Sequence, residues 1–177
     1  MHLSDLHFST SKLATQWANQ LSTDLASEIT PSLSTLDALI LSGDIANYST
    51  AEEYAAAQSF LNNIQEEFNL SKEQIIIVPG NHDIDWDTTD PDKKEDAAYQ
   101  LKPRNRCTPE ELQDGNFIEE GPNSVWTRAE ERYKQRFQHF SNFYQTIKGE
   151  PYPAEYADQF TIDTLPKQTL LILGLNS

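Results

Sequence analysis

The chain has 177 residues, a hydrophobic fraction of 37%, and 28 acidic against 13 basic side chains, for a formal charge of −15. That length suits one domain with a real core. The charge argues against a groove that tracks duplex DNA, although bound cations could still recruit a phosphate locally. A single cysteine, Cys107, excludes an intrachain disulfide, and no run is apolar enough to read as a membrane span or secretory leader. The default location is cytoplasmic.

In chain order, Met1 to Ser4 reads as a very short strand, with His2 as an ordinary alternating residue, followed by Asp5 and His7. Residues 11–29 read as a helix with Leu13, Trp17, Leu21, Leu25 and Ile29 on a core-facing stripe. Pro31 should end it, and Leu36 to Leu41 should form the second strand, leading to Ser42-Gly43-Asp44-Ile45-Ala46-Asn47. Ser49 or Thr50 caps a second helix, with Glu52 or Glu53 completing a capping box. Tyr54, Ala57, Leu61, Ile64 and Phe68 form its buried face. Ile75-Ile76-Ile77 is the third strand, broken by Val78-Pro79-Gly80 before Asn81-His82-Asp83. Strand–helix–strand–helix–strand predicts parallel βαβ units. Parallel strands end together, so the three polar clusters should share one sheet edge, where open α/β sheets place ligands. Asp and Asn oxygens with His nitrogens suit Mn²⁺, Fe or Zn²⁺.

These motifs, Asp5-x-His7, then Gly43-Asp44 with Asn47, then Gly80-Asn81-His82-Asp83, resemble in type and order the calcineurin-like metallophosphoesterase superfamily. The resemblance covers roughly residues 1–87, with fainter support at the carboxyl end. It implies an α/β fold, a sandwich of mixed β-sheets flanked by helices, of which residues 1–177 would be the amino-terminal half plus an inserted region. It also implies a metal-dependent phosphodiesterase or phosphatase acting on a phosphoester, with nucleotide-type substrates included. Two divalent ions would be held by Asp5, His7, Asp44 and Asn81. Asp44 would bridge them, and a hydroxide shared between the ions would be the nucleophile. His82 would donate a proton to the leaving oxygen or stabilise the transition state, and Asp83 would orient His82. Asn47 stands where the family more often has Asp and is expected to cap or support rather than ligate.

The resemblance also implies downstream ligands, an isolated His and a Gly-His-x-His motif, whereas the histidines here are at 2, 7, 82 and 139. The expectation is an amino-terminal portion of a longer protein that supplies them. The other reading is a catalytically incomplete scaffold or metal-dependent interaction module.

After Ile84 the pattern changes, and residues 84–158 are expected to be an insertion or lid. Acidic residues from Asp85 to Glu120 dominate its first part, with few aliphatics. Lys102, Arg104 and Arg106 interrupt them and read as solvated charges rather than phosphate ligands. Residues 125–147 read as a helix with Trp126, Tyr133, Phe137, Phe140, Tyr144 and Ile147 on one stripe. Arg128, Arg132 and Arg136 would line another face, and His139 reads as structural. Gln159–Asp163 and Gln168–Leu175 should close the chain as an antiparallel hairpin.

Overall fold

The computed structural model describes residues 1–28, 36–90, 92 and 98–175. Three parallel strands carry the first unit: β1 (His2–Leu3), β2 (Leu39–Ser42) and β3 (Ile75–Val78), adjacent in that order. Their register aligns Leu3 with Leu41, and Ser42 with Val78, so the carboxyl ends lie level. Leu39, Leu41, Ile75, Ile76 and Ile77 are buried, as a sheet covered on both faces requires. Helices α1 (Ser11–Glu28) and α2 (Ala51–Phe68) are the βαβ crossovers.

The start of α2 agrees closely with the sequence pattern. Thr50 Oγ1 accepts the Glu53 amide at 3.3 Å, and Glu53 Oε2 accepts the amides of Thr50 and Tyr48 at 3.0 and 2.9 Å. Thr50 is therefore the cap, and Glu53 closes the box. The other end is Asn69, at φ +49°, whose amide bonds back to the Gln65 carbonyl. The stripe of α1 differs from expectation. Ala14 and Ala18 are the buried contacts, whereas Leu13 and Trp17 are each 41% exposed. Small residues let α1 approach closely, and the larger side chains flank the contact; Trp17 keeps a ring contact with Phe8 at 5.6 Å. Ile29 and Pro31 lie outside the described residues.

Residues 85–136 form a second compact unit, and Phe137 to Ser177 belongs with Met1 to Ile84. The second unit begins with a single turn, α3 (Trp86–Thr89), and contains the antiparallel strands β4 (Tyr99–Pro103), β5 (Phe117–Glu119) and β6 (Ser124–Arg128), ordered β4-β6-β5. The helix expected over residues 125–147 is thus wrong at its start. Val125 and Thr127 are buried at period two, which is a strand pattern, and β-branched residues favour it. A short turn, α4 (Glu130–Tyr133), and a one-turn 3₁₀ segment intervene before helix α5 (Gln138–Lys148). Three basic residues of this unit form ion pairs. Arg104 Nη1 meets both carboxylate oxygens of Glu119 at 2.6 and 2.7 Å, Lys102 meets Glu111 at 2.5 Å, and Arg128 meets Glu130 at 2.6 Å.

In the first unit, Phe137, Phe140, Phe143, Tyr144 and Tyr152 form an aromatic cluster that joins α5 to the core. The closing hairpin is present as β7 (Phe160–Leu165) and β8 (Leu170–Leu175), in antiparallel register from Phe160↔Leu175 to Leu165↔Leu170. One face is buried through Thr161, Asp163, Leu165 and Gly174. The opposite face presents Phe160, Ile162, Leu171, Leu173 and Leu175, each 41–66% exposed. Lys148 joins α5 to both sheets: its ammonium donates to Asp163 Oδ1 at 2.6 Å and to the Ile75 carbonyl at 2.7 Å.

Burial pushes the Tyr144 phenol up to about 12, with the Asp163 and Glu150 carboxylates adding to the effect. The unfolded chain would lose this proton near pH 10, while the folded chain keeps it. Stability is therefore complete below pH 10 and is lost as pH rises toward about 12. The urea unfolding midpoint should fall across that window, and Tyr144→Phe should make the fall shallower. Identical slopes in both proteins would remove Tyr144 from the alkaline transition.

Candidate metal centre

The site is built where the three parallel strands end. Beyond β1 and β2 the backbones stay paired. The Asp5 amide donates to the Gly43 carbonyl at 3.2 Å, His7 to Asp44 at 2.9 Å, and Phe8 to Ile45 at 2.9 Å, with a parallel bridge between Phe8 and Ala46. Leu6, Phe8, Ile45 and Ala46 are buried and anchor these segments from below. Anchored hydrophobic residues thus alternate with the polar side chains that point away from the core.

Asp5, His7 and Asp44 converge here. One ligating atom from each lies within 4.8 Å of the others. All three residues have left-handed backbone, at φ +55°, +45° and +52°. For a residue with a Cβ that conformation costs about 1–2 kcal/mol. Three such residues in one cluster mark backbone held by its surroundings rather than by local preference.

The turns after β2 and β3 touch. Gly43 has φ +90°, and a Cβ there would lie 2.9 Å from Gly80 Cα. A Cβ on Gly80 would collide with Asp44 Oδ1 and lie 2.5 Å from the Asp44 amide nitrogen. Both glycines are thus required by close approach. Asp44 Oδ1 accepts the His82 amide at 3.0 Å, which fixes the carboxylate from one side. Asn81, exposed, opens the 3₁₀ turn Asn81–Asp83 directly after Gly80.

The donor set fits a divalent ion. Two carboxylates and an imidazole supply the oxygen and nitrogen ligands that Mn²⁺, Fe and Zn²⁺ accept. His7 Nδ1 is buried and has no hydrogen-bond partner among the described residues. A buried polar atom without a partner is costly, and a metal shell that includes the imidazole accounts for retaining it there.

His82 stands beside this group, its ring perpendicular to that of His7 with centroids 4.8 Å apart. Its Nδ1 lies 2.9 Å from the Asn47 backbone carbonyl. A carbonyl only accepts, so Nδ1 carries the proton and Nε2 is the nitrogen left for chemistry. Asn47 therefore contributes through its backbone.

Asp83 has a different set of partners from the one expected. Its carboxylate is fully buried and takes four donors. The Ala46 amide at 3.0 Å and the Tyr54 hydroxyl at 2.9 Å meet Oδ1, and the amides of Ile45 at 3.3 Å and Gly80 at 2.9 Å meet Oδ2. Burial pushes its pKa up, while the hydrogen bonds from Gly80, Ala46, Tyr54 and Ile45 pull it down. Its carbonyl accepts the Ser49 hydroxyl at 2.9 Å. The carboxylate thus binds the turns that carry Asp44 and Asn81, and the Nδ1 of His82 is held by Asn47. Tyr54 and Ser49 were missed from sequence because one reads as core stripe and the other as a capping candidate. The signal was available for Tyr54, since a tyrosine on a buried stripe needs a partner for its hydroxyl.

Residues 1–170 match the calcineurin-like phosphoesterase family, and the chain belongs to it. It is also similar to the uncharacterized metallophosphoesterase-like protein YydB of Bacillus subtilis (strain 168), 27% identical over 155 residues. The aligned region is 88% of this chain and 29% of that protein, so the chain spans less than a third of this relative's length.

Gly80→Ala tests the contact between the two turns. The methyl group would push the Gly43–Asp44 turn away from Gly80, and overpacking of this kind costs about 1–3 kcal/mol. The urea midpoint should fall accordingly, and a midpoint equal to that of the wild type would mean the turns have room to spare.

Proposed function

We propose that this chain carries the amino-terminal ligands of a dinuclear metal-dependent phosphoesterase, acting on a phosphodiester or phosphomonoester. The observation that carries the reading is the convergence of Asp5, His7 and Asp44, each in left-handed backbone, within 4.8 Å. A scaffold has no physical need for three strained polar residues aimed at one point.

In this reading Asp5, His7, Asp44 and Asn81 would hold the divalent ions. The remaining ligands come from the full-length protein. Bound divalent ions supply Lewis acidity, a nucleophile at neutral pH and positive charge against the phosphoryl group. The chain's own residues position and protonate. Asp44 keeps one oxygen occupied by the His82 amide, so its direction is set before a ligand arrives. His82, with Nδ1–H held by the Asn47 carbonyl, offers Nε2; as imidazolium it gives its proton to the leaving oxygen. Asp83 keeps the two turns together and is a catalytic support at one remove.

The local positive charge of the ions reconciles a phosphate substrate with a chain of charge −15. The same charge disfavours duplex DNA and leaves small phosphoesters, nucleotides among them, as the better substrates. Among the described residues no helix is long and apolar enough to cross a membrane.

The test uses the full-length protein with Mn²⁺ and the chromogenic substrates p-nitrophenyl phosphate and bis(p-nitrophenyl) phosphate. Asp44→Asn should abolish metal-dependent turnover. His82→Ala should keep its metal and lose about 10²–10⁴ in rate, the usual contribution of a positioned acid. Full activity in either variant sinks the assignment.

A further inference from the structure

We propose that Tyr54 and Ser49 are positioning residues for the metal centre, acting through Asp83. The inference rests on the reading of Asp5, His7, Asp44 and Asn81 as metal ligands and extends it to two residues that touch none of them.

Tyr54 lies in α2 and is 4% exposed. Its ring stacks on Phe143, with centroids 5.2 Å apart and planes at 29°, and meets Phe140 edge-on at 6.2 Å. The packed helices therefore fix the ring, and its hydroxyl has one direction to point. It donates to Asp83 Oδ1 at 2.9 Å and comes within 3.5 Å of the Asp83 carbonyl. A phenylalanine would fill the same apolar space, so packing does not explain the hydroxyl. Burial and the neighbouring Asp83 charge push the phenol far above its ordinary range, which keeps it protonated and donating.

Ser49 grips the same residue from its backbone side. Ser49 is 2% exposed, at φ +57°, and its hydroxyl donates to the Asp83 carbonyl at 2.9 Å. The two hydroxyls hold Asp83 at both its carboxylate and its main chain. From there, Ile45 and Ala46 come directly after Asp44, and Gly80 comes directly before Asn81. Three amide bonds thus carry the position of Asp83 into the two turns that aim those ligands. A connected path runs from the aromatic packing of α2 and α5 to the metal ligands, through a single carboxylate. Loss of supporting hydrogen bonds of this kind around metal ligands weakens metal affinity or activity about 10–100-fold.

The experiment is calorimetric titration of the native full-length protein with Mn²⁺, paired with its thermal midpoint. Tyr54→Phe should weaken Mn²⁺ affinity about tenfold or more. The control is Phe68→Leu, a buried substitution at the far end of α2, which should lower the midpoint and leave affinity within about twofold of wild type, well short of a loss of about 10–100-fold. Tyr54→Phe with wild-type affinity, or with only the loss that Phe68→Leu shows, would mean that Tyr54 merely packs and would overturn the inference. Should Tyr54→Phe fail to fold, Ser49→Ala decides on the same two readouts: weakened affinity supports the path, and unchanged affinity overturns it. A wild-type protein that does not bind Mn²⁺ would remove the metal-centre reading and this inference with it. That outcome is distinct from a wild type that binds while its variants behave alike.

Discussion

Four hydrogen bonds to one buried carboxylate hold this site together. Asp83 is inaccessible to water and receives three backbone amides and a phenol. Parallel strands bring three loops to one edge, but a sheet aligns only the strand ends and leaves the loops beyond them free to vary. The loops need cross-links of their own. Asp83 supplies those between the β2 and β3 turns, and the amides of Asp5, His7 and Phe8 supply those between the β1 and β2 segments. A buried charge is costly unless its lone pairs are fully used. Here they are, so the same desolvation that raises its pKa also gives each hydrogen bond more strength.

This arrangement explains how three left-handed residues can coexist. Each has an intrinsic preference for another backbone region. They persist because amide bonds, close glycine contacts and buried neighbours such as Leu6 and Ile45 leave no room for relaxation. The strain and the fixation are two sides of one design. The fold holds Asp5, His7 and Asp44 in a geometry that the isolated loops would not keep, which is how rigid scaffolds present polar side chains for chemistry.

The first half of the chain was legible because hydrophobic runs, helix periodicity and strand-end motifs agreed with one another. Ile75 to Ile77 could hardly be anything but a buried strand, and Thr50 with Glu53 announced where α2 begins. The second half was less legible because its local patterns conflict. Trp126, Tyr133 and Phe137 fall at helical spacing, yet they belong to a strand, a turn and a 3₁₀ segment. Val125 and Thr127 carried the true period of two, but over five residues a strand signal is weak. The acidic run after Asp85 hid β4 and β5, whose stability comes from pairing with β6 and cannot be read from their own residues. At the site, the polar residues that converge were readable in sequence as residue types, whereas the contacts that support them were not. Asp83 beside His82 in sequence invites a direct partnership, but in the 3₁₀ turn the two side chains face different neighbours. Tyr54 reaches Asp83 across 29 residues of chain, a contact that no local pattern encodes.

The closing hairpin affects how the chain behaves in solution. Its outer face gathers Phe160, Ile162, Leu171, Leu173 and Leu175 with no charged side chain among them, on a chain whose formal charge is −15. Dilute salt leaves the mutual repulsion of such molecules long-ranged, about 30 Å at 0.01 M, and shrinks it to about 8 Å at physiological ionic strength. Colloidal stability is thereby governed by two opposing surfaces, a negative one that separates molecules and a neutral greasy one that joins them once they are close. Raising the ionic strength weakens the first and leaves the second intact, so this polypeptide on its own is better dispersed in dilute buffer than in concentrated salt.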